Sequence, residues 1–166
     1  MSAQQPLIDD FLAQDDIAVV GLSRNKLVPA NAILAKLVKA GYRVTPIHPH
    51  AESFEDIPCA RSLTAMGHVP AGVVLATSPA ATDELVDESL ALGIPRLWMH
   101  DMMGTCPRIG RRHSERNSSV SHAAAERARQ AGASVITGSC PNQFVPPLDA
   151  MHRGLHWFNR IVGNTR

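Results

Sequence analysis

Aromatic side chains are scarce in this chain, at 4% of 166 residues, and the formal net charge is only +1. Few aromatics leave little to build a base-stacking platform, and balanced charge leaves no electrostatic footprint for a polyanion. A nucleic-acid partner is therefore not expected. Cysteine is also sparse. Cys59, Cys106 and Cys140 are odd in number and far apart, which argues against a disulfide framework and for a reducing, cytoplasmic setting. No apolar run approaches the roughly 18–20 residues that cross a bilayer, so no membrane partner is expected either. Residues 1–16 are acidic and lack the basic start and apolar centre of a secretory signal.

Several motifs are missing as well. A nicotinamide-binding turn wants G-x-G-x-x-G after the first strand. The corresponding run is Gly21-Leu22-Ser23-Arg24-Asn25-Lys26, with only the first glycine. The acid that holds a dinucleotide ribose at the end of the second strand is replaced by His48-Pro49-His50. No G-x-x-x-x-G-K-[ST] phosphate loop and no G-x-S-x-G nucleophile elbow occurs.

What is present is an alternation of strand and helix patterns. Residues 6–14 fit a short helix with Leu7, Ile8, Phe11 and Leu12 on one side. Residues 17–20 are apolar without alternation, as a strand buried on both faces would be. A helix then starts near Pro29, with Ala30, Ile33, Leu34, Leu37 and Val38 forming one stripe, and stops at Gly41. Residues 42–47 read as a second strand whose Pro46 marks an edge or a bend. Residues 48–70 read as a loop anchored by Ile57 and Leu63. A third strand is expected at 72–76 and a helix at 79–92 capped by Ser78. That helix should turn Asp83, Glu84, Asp87 and Glu88 outward and Leu85, Val86 and Leu90 toward the sheet. A fourth strand is expected at 96–99, a long polar connection at 101–119, a helix capped by Ser118 or Ser119 and running to Ala131, and a fifth strand at 134–137. Residues 148–162 fit a final helix with Met151, Leu155, Phe158 and Val162 on one stripe.

This order implies an α/β fold: a Rossmann-like, doubly wound parallel sheet of about five strands with helices on both faces. No repeat or second domain is visible, so residues 1–166 read as one domain with a helical tail at about 148–162. Ligands of such sheets lie beyond the carboxyl ends of the strands. There the first turn offers the Ser23 hydroxyl, the charges of Arg24 and Lys26, and a helix N-terminus, a combination suited to phosphate. A plain strand-to-helix turn with solvated basic residues fits the same letters, because fold does not fix function.

The runs I-A-V-V-G-L-S-R-N-K, K-A-G-Y-R-V-T-P-I-H-P, G-V-V-L-A-T-S-P, L-W-M and S-C-P fall at successive strand ends. Together they resemble the small stand-alone CoA-binding domain proteins, which are similar to the CoA-binding domain of the succinyl-CoA synthetase alpha subunit. The resemblance spans about residues 16–148. It implies Gly21, Leu22, Ser23, Arg24, Asn25 and Lys26 at the ligand's phosphates. It further implies His48 and Pro49 on the adenine–ribose side, and Thr77, Ser78 and Pro79 closing the site. His48 stands where the family often has asparagine or serine. The ligand implied is CoA or an acyl-CoA. The synthetases carry their phosphohistidine in a further domain for which this chain has no room, so none of the eight histidines is given that role.

Three other features carry alternative readings. Cys140 before Pro141 suits either a thiol near the pantetheine end or a small residue packed at a strand end, and packing is favoured because free cysteines are commonly buried. His100, Asp101, Cys106 and His113, with Cys140 nearby, contain metal-ligating types but no metal-ligand spacing, so no metal is expected. The basic amphipathic tail suits docking on its own domain, on a second copy or on a protein partner. The resulting expectation is a cytoplasmic CoA-binding module without catalysis. The rivals are an NAD(P)- or other nucleotide-dependent enzyme and an interaction protein with a vestigial pocket.

Overall fold

The computed structural model describes residues 4–102 and 118–147, together with residues 153, 154, 157, 158 and 161. Five parallel strands form the main sheet: β1 (Asp16–Val20), β2 (Arg43–Ile47), β5 (Gly72–Leu75), β6 (Arg96–His100) and β7 (Ser134–Ser139). Their spatial order is β2-β1-β5-β6-β7. Among the continuously described residues four helices accompany them: α1 (Gln5–Leu12), α2 (Pro29–Lys39), α3 (Pro79–Ala91) and α4 (His122–Gln130). The doubly wound α/β expectation holds.

The apolar strand runs feed both faces because successive side chains alternate. Ile17, Val19, Val74, Trp98 and Ile136 point into the layer built by α1 and α2, where Phe11 meets Trp98 edge-on at 5.2 Å. Ala18, Val20, Val73, Leu75, Leu97, Met99 and Val135 point into the opposite layer, against Val86 of α3 and Ala124, Ala125 and Ala128 of α4. Ion pairs tie the periphery. Arg96 of β6 donates to both carboxylate oxygens of Asp10 on α1, at 2.7 and 3.1 Å. That contact holds the Asp10 carboxyl below its ordinary range.

Both sheet edges are covered by small devices. β2 is an edge strand, as its Pro46 foretold, and Ala60 bridges it from outside. Ala60 N–H donates to the Pro46 carbonyl and the Ala60 carbonyl accepts from His48 N–H, so the hydrogen that proline lacks falls on the outer side. At the other edge, the Gln4 amide both donates to and accepts from the Thr137 backbone at 2.9 and 3.1 Å, standing in for a neighbouring strand.

Several expectations are corrected. Residues 48–70 are not plain loop: they contain a two-strand hairpin, β3 (Ser53–Phe54) with β4 (Ile57–Pro58), and a 3-10 turn at Thr64–Met66. Its anchors are Ala51, Phe54 and Leu63, with Ile57 only half-buried. On α3 the buried residues are Thr82, Val86 and Ser89, while Leu85 and Leu90 flank them. Small polar side chains allow close approach there, and the Ser89 hydroxyl is satisfied by the Leu85 carbonyl at 2.6 Å. The cap of α4 is Ser121, which accepts from Ala124 N–H, rather than Ser118 or Ser119. β6 and β7 run longer than expected, to His100 and Ser139, with a register irregularity between Met99 and His100. Of the tail, Arg153, Gly154, Trp157, Phe158 and Ile161 are helical. The rest of the 148–162 stripe lies outside the described residues, as do Cys106, His113 and the arginine-rich segment 108–116. No helix among the described residues is long and apolar enough to cross a membrane.

Candidate functional site

β1 and β5 are neighbours, yet the chain leaves them toward opposite faces: through α2 after β1 and through α3 after β5. This divergence is the switch point of a doubly wound sheet, where the backbone opens a crevice beyond the carboxyl ends. Gly21, Leu22, Ser23, Arg24, Asn25 and Lys26 follow β1 and Thr77, Ser78 and Pro79 follow β5, so both runs lie at the carboxyl ends of these neighbouring strands. His48 and Pro49 follow β2, beside β1.

Close backbone packing joins the first two loops. Gly21 has φ +104°, and a Cβ there would lie 2.2 Å from the Ala76 carbonyl oxygen. The turn after it is held from both directions. Ser23 N–H donates to Asn31 Oδ1 at 3.0 Å, and Asn31 Nδ2 donates to the Ser23 carbonyl at 2.7 Å. Asn31 stands in the first turn of α2, so this pair folds the turn back over that helix's N-terminus. The Ser23 hydroxyl oxygen accepts from the N–H groups of Asn25 and Lys26 at 3.3 and 3.2 Å, which leaves its own hydrogen available to a ligand. Helices α3 and α4 begin on capping serines, whereas α2 begins on extended Val28 with no side-chain acceptor. Its N-terminal dipole is therefore available to an outside anion. Arg24, Asn25, Lys26 and Leu27 are exposed.

The other two loops are fastened in a related way. Ser78 Oγ accepts from Ala81 N–H at 3.3 Å, and the Thr77 hydroxyl bonds that of Thr82 at 2.9 Å. His48 Nδ1 accepts from the N–H groups of His50 and Ala51 at 3.1 and 2.9 Å. Burial lowers the His48 pKa, and the positive charge of Arg24 and then the His50 ring lower it further. Burial raises the Cys59 pKa, with Arg24 opposing. Arg24 therefore acts on both the 48–51 turn and Cys59, bringing the loop after β1 into electrostatic reach of the loop after β2.

Asn31 and Cys59 are the residues that sequence reasoning missed. An asparagine near a helix start, where such side chains bond neighbouring backbone groups, was an available signal for the first. Cys59 had none. Cys140 is buried at 3% in the α1–α2 layer, in keeping with a packing role. His100 closes β6 and Asp101 follows it, both buried, and no group of three or more metal-ligating side chains occurs among the described residues.

Sheet order and switch point define the class: a doubly wound α/β protein with an uncapped helix start beside the first strand end. The chain belongs to the CoA binding domain family, whose model matches residues 15–143 and so takes in all three loops. Among solved structures it is similar to a hypothetical protein from Pyrococcus horikoshii OT3, at 22% identity and TM-score 0.68, over 84% of this chain and 87% of that one. A Thermus thermophilus protein is similar at 21% identity and TM-score 0.64, over 92% and 98%. The dinucleotide-forming acetyl-coenzyme A synthetase 1 of Ca. Korarchaeum cryptofilum is similar at 18% identity and TM-score 0.58, over 76% of this chain and 26% of that one. At these identities the likeness is one of fold. No curated protein matches the sequence.

Proposed function

We propose that this protein binds CoA or an acyl-CoA at the β1–β5 switch point and that it does so without catalysis, sensing, storing or delivering the ligand. Membership of the CoA binding domain family carries the reading, because the matched residues include every loop around the crevice. The phosphates would lie on the Ser23–Lys26 turn, beside the uncapped start of α2, with Arg24 and Lys26 supplying charge. His48 and Pro49 would bound the adenine–ribose side, and Thr77, Ser78 and Pro79 would close the opposite wall. In this reading the chain is one cytoplasmic domain.

A nicotinamide cofactor fits less well. His48 occupies the place of the ribose-binding acid, and its Nδ1 is committed to backbone N–H groups. The test is a thermal-shift screen with CoA, acetyl-CoA, NAD, NADP and ADP, repeated on Ser23→Glu. A ligand at a hundred times its Kd stabilises by about 2.7 kcal/mol. CoA should raise the Tm of the wild type and leave that of Ser23→Glu unmoved. A shift with NAD and none with CoA would overturn the reading, and equal CoA shifts in both proteins would remove the phosphates from this turn.

A further inference from the structure

Two backbone N–H groups, those of His50 and Ala51, converge on one ring nitrogen of His48 at 3.1 and 2.9 Å. An N–H donor needs a lone pair, so Nδ1 carries no proton and the hydrogen of the neutral ring sits on Nε2. The imidazole thereby takes the part that an asparagine oxygen plays in an Asx-turn, accepting from the second and third residues beyond it. The turn is backed on its inner side: Ala51 is 6% exposed, and the His48 ring packs on Phe54 with centroids 5.5 Å apart. Ser23 Oγ accepts from Asn25 and Lys26 in the same spacing. The difference is that a hydroxyl keeps its lone pairs at every ordinary pH, whereas imidazole takes up a proton near neutrality. A proton on Nδ1 would face three donors toward one point, so the ring must swing away or the turn must open.

We propose that His48 is a proton-sensitive positioning residue: its neutral Nδ1 lone pair folds the 48–51 turn at the carboxyl end of β2, and protonation releases that turn from the ligand site. The proposal rests on the reading of this crevice as a CoA site. The groups acting on the ring all favour its neutral form. Arg24 approaches from the turn after β1, and His50 shares the 48–51 turn. Phe54 of the hairpin is uncharged, and Cys59 just beyond it is held as a neutral thiol by burial. An anionic ligand beside Arg24 pulls the other way. Charge attraction alone would tighten binding as pH falls; control through the turn weakens it. The sign of the pH profile therefore separates the two.

The experiment titrates CoA into the wild type, His48→Asn and His48→Ala by calorimetry at pH 7.5 and pH 5.0. The asparagine oxygen accepts both N–H groups at either pH, so His48→Asn keeps the turn without a titrating ring and its affinity at pH 7.5 serves as its own baseline, while His48→Ala lacks the acceptor and should bind more weakly than His48→Asn at both. Between the two pH values the wild type should lose about five-fold more affinity than His48→Asn, whose own change reports titration of the CoA phosphates. A wild-type loss equal to or smaller than that of His48→Asn overturns the proposal. Nitrogen NMR of the ligand-free wild type provides a second readout, independent of CoA. The Nε2–H tautomer at pH 7.5, with protected His50 and Ala51 amides that lose protection at pH 5.0, supports the proposal. The other tautomer, or protection unchanged at pH 5.0, overturns it. If CoA binds none of the proteins while the NMR result holds, it is the ligand reading that has failed and not the turn.

Discussion

A methyl group placed on Gly21 would lie 2.2 Å from the Ala76 carbonyl oxygen, on a backbone at φ +104° that side chains rarely adopt. Gly21→Ala should therefore cost about 2–4 kcal/mol, read as a lower urea midpoint, because the first turn cannot stay against β5. Asn31→Ala removes both bonds to the Ser23 backbone and should cost about 1–3 kcal/mol. A loss below a few tenths would mean that the turn holds itself. His48 gives stability a pH dependence of definite sign. Its folded pKa lies below its ordinary value of 6.5, so the unfolded chain binds the proton more readily. The contribution is present in full above pH 6.5 and is lost as pH falls through the folded value. Urea midpoints at pH 7.5 and 5.0 should separate further for the wild type than for His48→Asn. Of these residues, Gly21 and His48 were legible as strand-end positions. The partnership of Asn31 with Ser23, and of Arg24 with His48, was not, because each joins segments whose proximity only the folded chain creates.

At the scale of elements, the caps decide how the helices are aimed. Ser121 accepts from Ala124 N–H and donates to Asp83 on α3, while Arg127 also reaches Asp83 and Asp87. Ser121→Ala should thus lower stability by about 1–2 kcal/mol, and Ser118→Ala by less, in thermal unfolding of the two variants. The sequence reading put this cap at Ser118 or Ser119 and passed over Ser121. Ser119 proves to be buried and Ser118 turns to Val120 N–H. The hairpin Ser53–Phe54/Ile57–Pro58 was hidden for a different reason. Its turn residues, Glu55 and Asp56, take φ values of 48° and 63° without glycine or asparagine, the usual signals for such turns. By contrast β1 and α2 were plain, since an unbroken apolar run and a five-residue stripe each admit one reading. On α3 the stripe misled, because Thr82 and Ser89 are buried where leucines were expected.

At the scale of the whole molecule, the strand order β2-β1-β5-β6-β7 makes β1 and β5 neighbours whose connections part to opposite faces. That arrangement follows from the alternation of strand and helix patterns, which is why the fold class was readable. It brings loops far apart in sequence to the carboxyl ends of adjacent strands. The family model spans those same loops, and in the proposed reading the fold, the turn chemistry and the ligand converge there. Amide hydrogen exchange, measured with and without saturating CoA, tests that convergence most directly. CoA should slow exchange at residues 21–28, 48–51 and 76–79 together and leave the amino ends of the strands unchanged. Protection at the amino ends instead, or no protection in any of the three loops, would contradict the account.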